Sequence, residues 1–503
     1  MTPKNIQDLR TAEPFAEISV RFLRENRCLP LRREDGRVLI AMADPEDQET
    51  RRSLEVVLGV PVVPVAAPAE EILEAIQAVY QPGSAMARLV GGLEPEEGEL
   101  VGEEAAEIGH LRDRAREAPI IQLVDLLLLR AIELGASDIH LEPFENDFRV
   151  RYRKDGILYE TESPPKGLQA AVLSRLKIMS RLDIAERRLP QDGRFRLKVK
   201  GHDIDFRVST LPTLLGESMV IRILDREKVI LDLDRLGFPP RELRQFDALI
   251  HKPHGMLLVT GPTGSGKTTT LYAALERVNS SEKKIITIED PVEYRLAGVT
   301  QMQVKPTIGL TFARGLRHIV RQDPDIVLVG EIRDRETAEI AVHAALTGHL
   351  VFSTLHTNDA AGAITRLLEM GIEDYLLASA VVGILAQRLV RLICPECRAA
   401  LPPEAVQEEA AALAAITGPR PERLYIGQGC PACAHTGYQG RTGIYELILV
   451  DEVIRQLILQ RADAVALREA AQKQGMQTLA QDGWAKVAAG RTTSQEVLRV
   501  TQE

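Results

Sequence analysis

Gly261, Pro262, Thr263, Gly264, Ser265, Gly266, Lys267 and Thr268 fit the pattern G-x-x-x-x-G-K-[ST], whose chemistry is the cradling of a polyphosphate. Glycines let backbone N–H groups turn inward around phosphate oxygens, and a helix starting behind them adds the positive end of its dipole. Lys267 has the reach and charge for the β- and γ-phosphates, and the Thr268 hydroxyl can ligate Mg2+. An apolar run precedes the loop (Met256–Thr260) and a helical pattern follows it, which argues against a chance glycine-rich turn. A nucleoside triphosphate and Mg2+ are therefore the expected ligands. Hydrolysis needs, in addition, a group that orients water and one that meets the charge of the transition state. Two apolar runs end in acids: Glu289 and Asp290 follow Ile285–Ile288, and Glu331 follows Ile326–Gly330. Gly330 stands where the acidic residue of a Walker B strand usually stands, so Glu331 is read as the base that orients water or as an outer-sphere Mg2+ ligand. A lone strand-end Glu often serves only as a helix N-terminal charge; two such strands after a phosphate loop favour catalysis.

A second constellation is made of thiols. Cys394 and Cys397 form one C-x-x-C pair, and Cys430 and Cys433 form another. Four thiolates from two tight turns offer a closed tetrahedral Zn2+ site with no open coordination position. Redox activity is the alternative, but redox motifs seldom come as two such pairs. The segment between the pairs, rich in Ala, Glu and Pro, reads as an arm with a structural or docking role. Five cysteines in a chain of 503 residues, four of them in close pairs, suit a reducing compartment better than a disulfide framework.

These residues need elements to hold them. The length predicts about three domains, and 45% apolar with 27% charged residues is the balance of a globular chain. Residues 1–82 alternate short helical patterns with strand-like runs such as Val38–Met42 and read as a small α/β domain without a chemical motif. Residues 83–112, rich in Gly and Glu, read as an extended flexible linker. Residues 113–233 form a middle domain, opening on a helical pattern that ends near Gly135 and continuing in alternating strands such as Phe148–Arg153 and Ile204–Val208. The regularly spaced arginines of Phe148–Arg153 read as the solvated face of a sheet, with a nucleotide-facing surface as the alternative. From residue 234 to 503, strands apolar throughout alternate with helices, the mark of a parallel sheet covered on both faces. The cysteine module falls at about residues 390–440 of that last segment, and a helical tail follows Val450.

The formal charge of −10 argues against a nucleic-acid coat, which needs an excess of Lys and Arg. Seven of those charges are glutamates between Glu94 and Glu107, where no basic residue stands, so the rest of the chain is nearly balanced. The charged first seventeen residues hold no signal-peptide core. The longest run without Asp, Glu, Lys or Arg, Ile340–Asn358, has eight polar residues in nineteen and is no membrane span. A cytoplasmic protein is expected, whose membrane contact comes through partners.

The phosphate loop, Ile288–Tyr294 with its two glutamates, Arg321–Asp334 and Thr347–Asp359 together resemble the Walker A, Asp box, Walker B and His box of the ATPases of type II secretion and type IV pilus assembly. Ala136–Pro143 and Leu189–Phe195 look like that family's middle domain, and the resemblance covers nearly everything after about residue 115. It implies a RecA-like P-loop ATPase core with a PAS-like middle α/β domain, closing on the nucleotide in a hexamer. It also implies site roles: Glu331 as catalytic glutamate, Glu289 and Glu293 in support of water and metal, and His349 and His356 as sensors of the γ-phosphate region. Arg207 and Arg222 match the arginines that reach the phosphates from the middle domain, where a guanidinium neutralises spreading charge only on closure. Arg317 and Arg321, four residues apart, are sensors or ordinary surface charge.

The N-terminal domain, the cysteine module and Tyr438–Leu447 look more like assembly ATPases, and most like the type II secretion ATPase, than like retraction motors. The expected function is a cytoplasmic ATPase that powers pseudopilus assembly and export, docked on inner-membrane platform proteins through its first domain. A pilus-extension ATPase, a nucleic-acid translocase and a nucleotide-binding regulator without turnover are the competing readings. The translocase lacks a basic or aromatic stripe to grip nucleic acid.

Overall fold

The computed structural model describes residues 22–23, 26–34, 37–58, 60–80, 111–199, 201–225, 231–402, 406 and 423–502. The acidic stretch Glu94–Glu107 and most of the arm between the two cysteine pairs lie outside these residues. By contacts the chain divides into two units, the first comprising residues 1–152, 159–195 and 206–222, the second 153–158, 196–205 and 223–503.

The first unit is built on two sheets. Strands β1 (Cys28–Glu34), β2 (Arg37–Met42) and β3 (Val62–Ala66) form a three-stranded sheet, β1 antiparallel and β3 parallel to β2. Helices Gln48–Leu58 and Ala69–Tyr80 accompany this sheet, and Leu29, Ile40, Leu54, Ile72 and Ile76 share its core. Strands β4 (Asp138–Pro143), β5 (Phe148–Lys154), β6 (Ile157–Glu160), β7 (Gln191–Val199), β8 (His202–Thr213) and β9 (Gly216–Asp225) form a second sheet in the order β6-β5-β4-β9-β8-β7. The preceding helix Ala118–Leu134 has Pro119 in its first turn and ends at Gly135 with φ +69°, and Ile120, Leu123, Val124, Leu127 and Leu128 are buried at helical spacing.

The second unit is a RecA-like α/β core. Strands β10 (Gly255–Thr260), β11 (Ile285–Glu289), β12 (Val299–Gln303), β13 (Ile326–Val329), β14 (Leu350–Leu355) and β15 (Val381–Ile393) are parallel, in the order β12-β11-β13-β14-β10-β15. The four runs that are apolar throughout in the sequence occupy the middle of this sheet, where burial on both faces leaves no place for alternation. Short strands β16 (Arg398–Ala400) and β17 (Tyr425–Gly427) pair in the cysteine module, and β18 (Tyr438–Leu449) returns antiparallel along β15. Helices Glu452–Leu459, Ala464–Lys473, Leu479–Ala488 and Ser494–Thr501 close the chain, each opened by a side-chain cap from Asp451, Asp463, Thr478 or Thr493.

Candidate functional site

In a parallel sheet, ligands bind beyond the carboxyl ends of the strands. The phosphate loop leaves β10 at Thr260 and enters the helix Lys267–Val278, with Gly266 in the left-handed region at φ +90°. Two of its glycines are also required by space. A Cβ on Gly261 would stand 2.5 Å from the Gln387 carbonyl oxygen, and one on Gly266 would stand 2.8 Å from Gln387 Nε2. Lys267 curls back over the loop, its Nζ donating to the carbonyl oxygens of Gly261 at 2.7 Å and Pro262 at 3.0 Å. Its side chain is buried, and that desolvation brings its pKa down to about 8, with the charge of Glu331 opposing and that of Arg388 adding to the fall. Thr268 is exposed at the helix start, where its hydroxyl is open to a hydrated Mg2+ held with the phosphates. The loop's inward-turning backbone, buried lysine and exposed Thr268 fit a Mg-nucleotide.

Glu331 follows β13, two strands from β10 across β14, at the same carboxyl edge. Gly330 donates its N–H to the Ile288 carbonyl at 2.8 Å, and a Cβ there would come to 3.2 Å from the same oxygen. A side chain at position 330 would crowd the backbone of β11. Thr354 Oγ1 donates to the Gly330 carbonyl at 2.7 Å, which fixes the backbone from which Glu331 projects. The Glu331 carboxylate receives Arg333 Nε at 2.7 Å and His356 Nε2 at 3.3 Å. Burial and the nearby Lys267 charge hold His356 below its ordinary pKa, so at neutral pH its imidazole is neutral and donates a hydrogen bond to Glu331. Lys267, Glu331 and His356 are thus electrostatically coupled in one site.

His349 lies elsewhere, against the expectation that both histidines sense the γ-phosphate region. It precedes β14, whose first residue Leu350 pairs with Gly255 at the start of β10. His349 Nδ1 sits 3.0 Å from the Ala344 carbonyl, and the His349 carbonyl accepts from Gly255 N. The six residues of β14 span about 20 Å, so His349 is at the amino edge and His356 at the carboxyl edge. Within its own chain His349 is a structural residue of the turn before β14.

Glu289 ends β11 but is buried in a closed network. Thr287 Oγ1 donates to it at 2.5 Å, Gln301 Nε2 at 3.3 Å, and the Tyr272 hydroxyl donates as well. Burial raises its pKa, and these donors oppose the rise. Glu293 is half-buried beyond the cis Asp290–Pro291 peptide. Arg207 and Arg222 lie in the other unit, on β8 and β9, where Arg222 Nε contacts Asp138 Oδ1 at 2.9 Å. Arg317 pairs with Glu336 at 2.5 Å, and Arg321 meets His318 at 3.1 Å. Of the three β5 arginines, Arg151 is met by Glu142 and Arg149 by Asp147 and Glu160, and Arg153 donates to the Gly156 carbonyl at 2.9 Å, as on a solvated sheet face. Sequence reasoning missed Gln387 and Arg388. Both are buried on β15 beside the phosphate loop, and their only linear signal is a polar pair inside an apolar run.

The four paired cysteines converge. Their sulfurs all lie within 4.8 Å of one another, and three pairs, Cys394–Cys430, Cys397–Cys433 and Cys430–Cys433, stand at 3.8, 3.9 and 3.8 Å. Zn–S bonds of about 2.3 Å in a tetrahedron set sulfurs about 3.8 Å apart, so the set fits Zn2+. Backbone N–H groups of Gly429, Cys430 and Gly437 point at the sulfurs of Cys397 and Cys433, as they do at metal-bound thiolates. None of the five cysteines forms a disulfide.

Residues 113–499 match the family model described as Type II/IV secretion system protein, and residues 6–86 match the MshEN domain. The chain is 50% identical to a Type II secretion system protein E of Xanthomonas campestris pv. campestris, over 97% of this chain and 85% of that one. It is 46% identical to the Type IV pilus assembly ATPase PilB of Myxococcus xanthus, over 93% of this chain and 83% of that one. Among solved structures, the pilus retraction motor PilT with bound ADP is similar at 27% identity and a TM-score of 0.52, over 76% of this chain and 97% of that one.

Proposed function

Because the chain belongs to the Type II/IV secretion system protein family, we propose that it hydrolyses ATP to drive pseudopilus assembly and protein export as the E component of type II secretion. One observation carries this reading: Lys267, Glu331 and His356 are coupled at the carboxyl edge of a parallel sheet, beside a phosphate loop. Lys267 holds the β- and γ-phosphates, Thr268 reaches the Mg2+, and Glu331 orients the attacking water. Magnesium, when bound, neutralises charge between the β- and γ-phosphates. His356 fixes the Glu331 carboxylate and reports on the terminal phosphate. Arg207 and Arg222 meet the phosphates when the middle domain closes, and Glu289 and Glu293 support the water side of the site.

The working state is a hexamer in the cytoplasm. Among the described residues no helix is long and apolar enough to cross a membrane, and attachment to the inner membrane runs through platform proteins held by the N-terminal domain. The tetracysteine set binds one structural Zn2+; metal analysis of the purified chain should return one zinc per chain, and a metal-free folded chain would contradict this. Pilus extension is the second reading, favoured by the similarity to PilB. Isolation of the membrane complex with this chain as bait decides between them. Recovery of type II secretion platform proteins supports the first reading, and recovery of pilus platform proteins overturns it.

A further inference from the structure

The carboxyl edge of the sheet holds a second buried cation. Arg388, on β15, is 5% exposed. Its Nη2 donates to the Asn358 backbone carbonyl at 2.9 Å and lies 3.3 Å from Asn358 Oδ1, and its Nη1 donates to the Gln387 carbonyl at 3.2 Å. A Cβ on Gly261 would come to 3.1 Å from the same Nη1, so the guanidinium lies directly behind the first glycine of the phosphate loop. Its neighbour Gln387 accepts from Thr270 Oγ1 at 2.8 Å, one turn into the helix behind the loop. The β15 pair therefore lies against the loop at Gly261 and Gly266 and bonds the helix behind it at Thr270, while Asn358 belongs to the turn that carries His356.

We infer that Arg388 is a positioning residue for the triphosphate: it braces Gly261 from behind and ties the phosphate loop to the turn bearing His356. The planar fork of an arginine suits this task because its nitrogens reach two acceptors in fixed directions, which the ammonium of a lysine does not. A buried charge is costly unless something meets it. Here two buried cations, Lys267 and Arg388, flank Gly261 in one pocket, Lys267 through its bond to the Gly261 carbonyl and Arg388 from behind the glycine, and like charges repel one another. Such a pocket is pre-set for a polyanion: the bound phosphates relieve the repulsion, and the loop is already in place when they arrive. The groups facing Lys267 are Glu331 after β13, His356 after β14 and Arg388 on β15.

The inference rests on ATP being the ligand, and its test separates the two claims. Full-length wild type, Lys267→Ala, Arg388→Gln and Arg388→Lys are compared by ATP turnover and by titration with a fluorescent ATP analogue at one pH. Wild type that neither binds nor hydrolyses ATP would sink the ATPase reading itself. With that reading intact, Arg388→Gln should raise KM about tenfold and leave kcat within about threefold. Analogue affinity should fall in the same proportion, because the loop is no longer held in place for the phosphates. Arg388→Lys keeps the charge but not the fork, and recovers only part of KM. Arg388→Gln with wild-type KM and wild-type analogue affinity overturns the inference, whatever happens to its melting temperature. If that variant does not fold, Arg388→Lys decides alone: a wild-type KM overturns the inference, and a raised KM with kcat within about threefold supports it.

Discussion

At the scale of single residues, Glu331 is well placed to handle a proton. It is largely buried and held by Arg333 and His356 on one oxygen, which leaves the other to accept from water. Glu331→Gln keeps the shape and removes the base. Turnover should fall by about two to four orders of magnitude while ATP affinity stays within a few-fold, as read by phosphate release beside nucleotide titration. Unaltered turnover would remove Glu331 from the catalytic role. Lys267 supports a pH prediction. Its pKa in the unliganded chain is about 8 rather than the ordinary 10.5, and the phosphates favour its charged form. The direction follows from linkage: ATP affinity is full below about 8 and falls as pH rises above it, by up to about tenfold per unit, until the lysine of the complex also deprotonates. Analogue binding that stays flat from pH 7.5 to 9.5 would show that Lys267 is not the phosphate cation. Both residues are legible in the local sequence, because they belong to motifs whose spacing is set by one turn of chain, but the lowered pKa of Lys267 and the His356 contact on Glu331 come only with the fold.

At the scale of elements, the sequence was legible where a strand is buried on both faces and opaque where tertiary partners decide. The runs before Gly261, Glu289, Glu331 and His356 read as strands because they are mostly apolar and no charged residue interrupts them, and they are β10, β11, β13 and β14. Motif membership misled for His349, since a motif read as one unit is cut by a whole strand and its two histidines fall at opposite edges. The strand-end position of Glu289 does not reveal its partners either. Its donors Tyr272 and Gln301 come from a helix and a neighbouring strand that no local pattern links to it. Long β15 carries Gln387, Arg388 and Arg391 in the sheet, and such polar residues disguise a strand until their partners are known. One of those partners is Glu496 on the last helix, which meets Arg391 at 2.6 Å and Arg499 at 2.8 Å. Burial alone would raise its pKa, but hydrogen bonds from the two arginines hold it down at about 2, against an ordinary 4.5. A lowered carboxylate pKa contributes stability that is complete above 4.5 and is lost as pH falls toward 2. Glu496→Gln should therefore cost about 3 kcal/mol in chemical denaturation at pH 7, with its gap to wild type narrowing below pH 4.5. A gap that persists unchanged at pH 3 would show that packing, not charge, fixes the last helix.

At the scale of the whole molecule, the charge separates two tasks. The net charge is −10, and seven of those negatives fall in Glu94–Glu107, between the MshEN match and the ATPase match. Every residue assigned here to nucleotide chemistry comes after position 206. The first three-stranded sheet has a core of its own, drawn from residues 23–76, and contributes no group to that chemistry. Docking and turnover should accordingly separate on deletion. A chain without residues 1–82 should bind and hydrolyse ATP in solution within a few-fold of the full chain, yet leave the membrane fraction of cells that make the platform proteins. Glu94–Glu107 remains in that variant, so the loss is assigned to residues 1–82 alone. Fractionation of both chains, each expressed with and without the platform, reads the outcome. Unchanged membrane association would end the docking role of the first domain. Lost turnover with retained folding would show that this domain acts on the motor as well as on the membrane.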